Sequence, residues 1–123
     1  MELNLTQKDY HKYLTILQIL TNLTKPSIQP FNVLRNRELE VFAILLFLYN
    51  NKYAELDPEQ RNMLIFSYKT RVEIGRMLDN ISLDSVYNIM MNLRKHSLIT
   101  KDCINPQYIL PNSDFFKINF VDK

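Results

Sequence analysis

From Thr70 to Ile99 the chain reads Thr-Arg-Val-Glu-Ile-Gly-Arg-Met-Leu, then Asp-Asn-Ile-Ser, then Leu-Asp-Ser-Val-Tyr-Asn-Ile-Met-Met-Asn-Leu-Arg-Lys-His-Ser-Leu-Ile. The first part predicts a short helix over Thr70 to Leu78, with Val72, Ile74 and Leu78 as core candidates. Asp79-Asn80 predicts a break, because asparagine tolerates the left-handed backbone that a tight turn needs. Ser82 predicts the cap of a second helix, with Ser85 in its first turn. Val86, Ile89, Met90 and Leu93 form its apolar stripe, and it should end near His96-Ser97. Ile74, Leu78, Ile81, Val86 and Met90 can close a small core between two crossed helices.

Working outward, the period changes after Ser97. Leu98 to Lys101, a turn at Asn105-Pro106, and Tyr108 to Leu110 predict a β-hairpin. Alternation at Phe116, Ile118 and Phe120 predicts a last strand. Upstream, Asp57-Pro58-Glu59-Gln60 is a helix start: Asp57 caps, Pro58 takes the first position and Gln60 can reach back to the cap amide. Met63, Leu64 and Phe66 are expected on the inner side of that helix. Arg37 to Asn50, capped by Asn36, is apolar nearly all round and predicts a central helix. An initial helix from Thr6, with Asp9 as an approximate capping box, carries Tyr10, Tyr13, Leu14, Leu17, Leu20 and Leu23. Pro26 and Pro30 bracket the loop after it.

The whole predicts one mainly helical (α+β) domain over 1–123. It has about five helices and a small C-terminal hairpin or three-stranded sheet, with an N-terminal helix and linker over 1–30 and a core over 36–123. Length and a 46% hydrophobic content suit one globular unit with a contiguous core. The opening Met-Glu-Leu-Asn is acidic and polar, unlike a secretory signal. The longest apolar run, Val41 to Tyr49, is far too short to span a membrane. The expected location is the cytoplasm, or a particle assembled there.

Several chemistries are disfavoured. The single glycine, Gly75, leaves no glycine-rich phosphate loop. The single cysteine, Cys103, forms no internal disulfide and reads as a small packing residue or an exposed thiol without a role. His11 and His96 lie in no ligand-spaced cluster, and His96 is read as helping to end its helix. The acids Glu38, Glu40, Glu55, Asp57 and Glu59 cluster in sequence, but helix N-termini explain two of them. No nucleophile–base pattern appears. A non-enzyme without cofactor or metal is therefore expected. Tyr53, Tyr68, Tyr108, Phe115 and Phe116 read as packing residues.

The stretch 70–99 resembles the helix-turn-helix superfamily, in its winged form. The matching features are Glu73-Ile74, Ile81-Ser82 at the turn exit, Val86, Leu93-Arg94-Lys95 and Leu98-Ile99. The sequence departs at the turn, where Asp79-Asn80 stands in place of a single glycine, and at Ser97, which replaces the glycine before the wing. The tail from Cys103 to Tyr108 is similar to wings of phage and plasmid replication initiators. The resemblance implies that the second helix enters the major groove of duplex DNA. Carried onto this chain, Ser82, Leu83, Asp84, Ser85, Tyr87, Asn88 and Met91 lie at its start and outward face. Asn88 would suit adenine, Asp84 cytosine, and Tyr87 a phosphate or a thymine methyl. Lys69 and Arg71 would lie near the backbone, and Arg94, Lys95 and Lys101 would grip phosphates beside the wing.

Charge distribution agrees with this placement. The chain as a whole carries only +2. Residues 69–101 hold six Lys/Arg against three acids, a net of +3, whereas 37–68 hold three against five, a net of −2. The expected role is a transcriptional regulator or replication accessory, with residues 6–23 as a core-completing helix or a homodimer contact. The rival expectation is a structural or adaptor protein, such as a phage-particle component, docking on another protein through Leu83, Tyr87 and Met91.

Overall fold

The order of apolar residues around the second helix determines how everything else is arranged. In the computed structural model, which describes residues 7–21, 34–101 and 103–105, this helix (α2, Asn36–Phe47) buries every residue from Glu38 to Leu46. A helix apolar on all sides must be enclosed on all sides. α1 (Gln7–Thr21) covers one flank with Tyr10, Tyr13, Leu14, Ile16 and Leu17, all buried. The described apolar side chains of α1 are thus core, which agrees with the core-completing expectation for this helix. Thr6, the Pro26–Pro30 loop and Leu23 lie outside the described residues, as do the side chains of Asp9 and Leu20.

α2 starts one residue earlier than its sequence predicts. Arg35, in extended conformation, is the cap, and its N–H donates to Glu38 Oε1 at 2.8 Å. Asn36, the expected cap, instead accepts from Gln18 Nε2 of α1 at 3.0 Å. The far end widens into a π-helical turn, Leu48–Lys52, closed by Tyr53 N–H on the Leu48 carbonyl. Leu48, Tyr49 and Tyr53 stay buried there, and the Tyr13 hydroxyl donates to Asn51 Oδ1 at 2.7 Å. Burial pushes the Tyr10, Tyr13 and Tyr53 hydroxyls above their ordinary range, which keeps them protonated.

α3 (Pro58–Ile65) begins at Asp57, whose carboxylate accepts Gln60 N–H at 2.9 Å. Removing that acceptor leaves one helix N–H unsatisfied. Asp57→Ala should cost about 1 kcal/mol, read as a lowered denaturation midpoint with unchanged slope. Ile65 points inward and is fully buried, whereas Met63, expected inside, is 66% exposed. Two residues along a helix is a rotation of about 200°, so the two cannot share a face. Leu64 and Phe66 are half-buried against the core.

α4 (Tyr68–Met77) is capped by Ser67 and starts before Thr70. Thr70, Ile74 and Leu78 form its inward row, at a spacing of four. Val72 lies two residues from Thr70 and from Ile74, so it is exposed, contrary to expectation. Tyr68 is also exposed, at 63%, because it precedes the inward row by two. The chain then reverses through Asp79 (φ 61°) and Asn80 (φ 57°), and Ile81 N–H returns to the Gly75 carbonyl at 3.0 Å. α5 (Leu83–Lys95) follows, capped by Ser82, whose Oγ accepts Ser85 N–H at 3.1 Å.

Ser97 (φ 64°) takes the left-handed position at the exit of α5. A two-stranded antiparallel sheet then pairs β1 (Ile99–Thr100) with β2 (Cys103–Ile104), in the register Ile99 to Ile104 and Thr100 to Cys103. The hairpin therefore turns between Thr100 and Cys103, not at Asn105-Pro106. Asn105 continues the ladder: its N–H donates to the Leu98 carbonyl and its side-chain amide to the Ser97 carbonyl. Pro106 and the strands expected at Tyr108 to Leu110 and Phe116 to Phe120 lie outside the described residues, as do Phe115 and Phe116 as packing residues. Among the described residues no helix is long and apolar enough to cross a membrane.

Candidate nucleic-acid interface

α5 is amphipathic, with Val86, Met90 and Leu93 buried and Ile89 half-buried against the core. Its approach to α4 depends on Gly75. A Cβ there would lie 2.8 Å from the Ile81 carbonyl oxygen and 3.5 Å from Val86 Cγ2. The close seating leaves the far side of α5 open. Leu83, Tyr87 and Met91, spaced by four, are 37%, 55% and 42% exposed. Asp84, Asn88 and Lys95 are exposed beside them. Ser82 and Ser85 are exposed too, but their hydroxyls bond each other at 3.0 Å while Ser82 caps the helix. They hold the start of α5 in place.

The basic residues divide into two groups. Lys69, Lys95 and Lys101 are exposed, and none forms an ion pair among the described residues. Arg71 and Arg94, expected to grip phosphates, are half-buried and engaged internally. Arg71 Nη1 donates to the Phe66 carbonyl at 2.8 Å, closing the end of α3. Arg94 Nη2 donates to the Lys101 carbonyl at 3.0 Å, which ties the hairpin turn to α5. Each carbonyl takes one of the five donors of its guanidinium and anchors the side chain within the chain. Arg76 is paired with Glu73.

Two contacts had no sequence signal because they join residues far apart in the chain. Arg37 Nη2 meets Asp79 Oδ2 at 2.7 Å, tying the α4–α5 turn to α2, and Asp79 holds the guanidinium above its ordinary pKa. Asn92 Nδ2 donates to Glu38 Oε2 at 2.6 Å, tying α5 itself to α2. The exposed row Tyr68, Val72 and Arg76 on α4 also escaped the sequence reading. Recognising Ser67 as the cap would have revealed it, because the cap fixes the phase of the helix.

Elsewhere, Cys103 is an exposed free thiol beside a shallow depression lined by Glu59, Asn62, Met63 and Phe66. No group of His, Cys, Asp and Glu among the described residues is arranged to hold a metal ion. Comparison of the chain with protein-family models, with curated proteins and with solved structures finds no match.

Proposed function

We propose that this chain binds duplex DNA as a winged helix-turn-helix, with α4, the 78–82 turn and α5 as the reading unit and the β1–β2 hairpin as a short wing. One observation carries the reading. α5 turns Tyr87, Asn88 and Met91 outward while three lysines without an ion pair among the described residues, Lys69, Lys95 and Lys101, stand exposed on or beside the same unit. Polar and apolar side chains on an outward helix face suit base edges and thymine methyls. Flanking ammonium groups suit phosphates. Regulation of transcription and support of replication initiation are both compatible with such a module.

A gel shift on random duplex tests the reading. Three phosphate contacts predict a slope of log affinity against log salt of about −3. Raising salt from about 50 to about 200 mM should then weaken retention by roughly fiftyfold. No retention at the lower salt would sink the proposal.

A second reading is favoured by the row Leu83, Tyr87 and Met91, whose apolar exposure equally suits a protein partner. Docking of that kind, as in a structural or adaptor component, depends little on salt. A partner complex that persists across the same salt range would favour it.

A further inference from the structure

We propose that Glu38 and Asn92 are a positioning pair that fixes the rotation of α5 on α2, and through it the sharpness with which α5 discriminates between duplex sequences. The second half of this statement rests on the duplex reading above, and the first half does not. Glu38 is buried, and each of its carboxylate oxygens has its own donor. Oε1 accepts Arg35 N–H at 2.8 Å and Oε2 accepts Asn92 Nδ2 at 2.6 Å. The first bond makes Glu38 part of the α2 cap, so its position is set by the start of the central helix. The second transmits that position to α5 across 54 positions of sequence.

The apolar seam alone cannot do this. Val86, Met90 and Leu93 hold α5 at its distance from the core, but burial is non-directional and tolerates small rotations. A hydrogen bond weakens as its angle departs from linear, so it resists rotation. The other tie, Arg37 to Asp79, leaves its side chains 40% and 85% exposed. Water and salt screen a pair that open. A rotation of about 10° moves a side-chain tip about 6 Å from the helix axis by about 1 Å. That shift is enough to spoil two-point bonding to a base edge. Phosphate contacts from flexible lysine stems would survive it.

The chemistry of the pair yields an unusual substitution pattern. Asn92→Asp sets two carboxylates face to face in a half-buried contact, which is repulsive. Glu38→Gln alone is tolerated: its Oε1 can keep Arg35 N–H, and the Asn92 amide can turn over to accept from the new amide. The double variant restores both bonds, with the glutamine accepting from Arg35 N–H and donating to the new aspartate.

Two readouts on the full chain decide it. The first is the ratio of affinities for the tightest duplex recovered from a random library and for a shuffled duplex. The second is amide hydrogen exchange in α5 relative to α4, which needs no DNA. Asn92→Asp should lower the ratio about tenfold and speed α5 exchange about tenfold, with the salt slope unchanged. Glu38→Gln and the double variant should stay within about threefold of the parent in both. A purely structural loss would lower the active fraction for both duplexes equally and leave the ratio alone. If Asn92→Asp does not fold and the double variant does, the pair is upheld. Unchanged ratio and exchange in Asn92→Asp, or a double variant no better than Asn92→Asp, overturns the proposal. If the parent retains no duplex, the proposed function fails and the exchange measurement alone decides the positioning claim.

Discussion

Gly75→Val should destabilise the chain by about 3 kcal/mol, lowering its melting temperature by roughly 10 °C, whereas Gly75→Ala should cost about 1 to 2 kcal/mol. An ordinary mid-helix glycine predicts the opposite sign, because alanine gains about 1 kcal/mol of helix propensity. The reversal comes from the neighbour of Gly75. Its Cβ would meet the Ile81 backbone oxygen at 2.8 Å, and Ile81 is anchored through its own N–H, which bonds the Gly75 carbonyl from the preceding peptide. A flexible side chain could move aside, but a hydrogen-bonded backbone on the exit of a tight turn can yield only by pushing α5 away. Valine adds methyl groups toward Val86, already 3.5 Å from the Cβ position, and a branched Cβ within the helix. Thermal unfolding of both variants checks this. A more stable Gly75→Ala would show that the Ile81 carbonyl gives way to a Cβ at little cost.

The same locality explains how much the sequence disclosed. Elements set by neighbours along the chain were legible: Asp57-Pro58 as a helix start, Ser82 as a cap, Asp79-Asn80 as a left-handed turn. Apolar rows were legible where the phase of the helix was fixed, as in Val86, Met90 and Leu93. In α4, Ile74 and Leu78 are inward as expected, whereas Val72, two residues from Ile74, and Tyr68, expected as a packing residue, are exposed. The hairpin turn was misplaced because Asn-Pro is a strong local turn signal. The actual register is set by burial of Ile99 and Ile104 on the same face and by Asn62 Oδ1, which accepts Ile104 N–H at 3.1 Å. In the candidate interface, residue exposure was legible and side-chain engagement was not. Nothing near Arg94 in sequence says that its guanidinium holds the carbonyl of Lys101, seven residues on.

Replacing Lys69, Lys95 and Lys101 together by alanine should lower duplex affinity on the order of a thousandfold at about 50 mM salt and flatten the salt slope from about −3 toward zero. Each lysine that neutralises a phosphate releases condensed counterions, and at this salt each release contributes roughly tenfold or slightly more. The three are exposed and make no ion pair among the described residues, so their loss should leave the fold intact. The triple substitution also takes the formal net charge from +2 to −1, removing the long-range attraction that speeds encounter. Arg94→Ala provides the contrast. It releases the hairpin turn and should cost about 1 kcal/mol of stability through the lost bond to Lys101, with the salt slope kept. Titrating the parent and both variants against one duplex at several salt concentrations separates the two kinds of cation. Should the triple variant bind as tightly as the parent with the same slope, phosphates are not what the lysines meet. The outward row Leu83, Tyr87 and Met91 would then be the surface to pursue, with a protein as its partner.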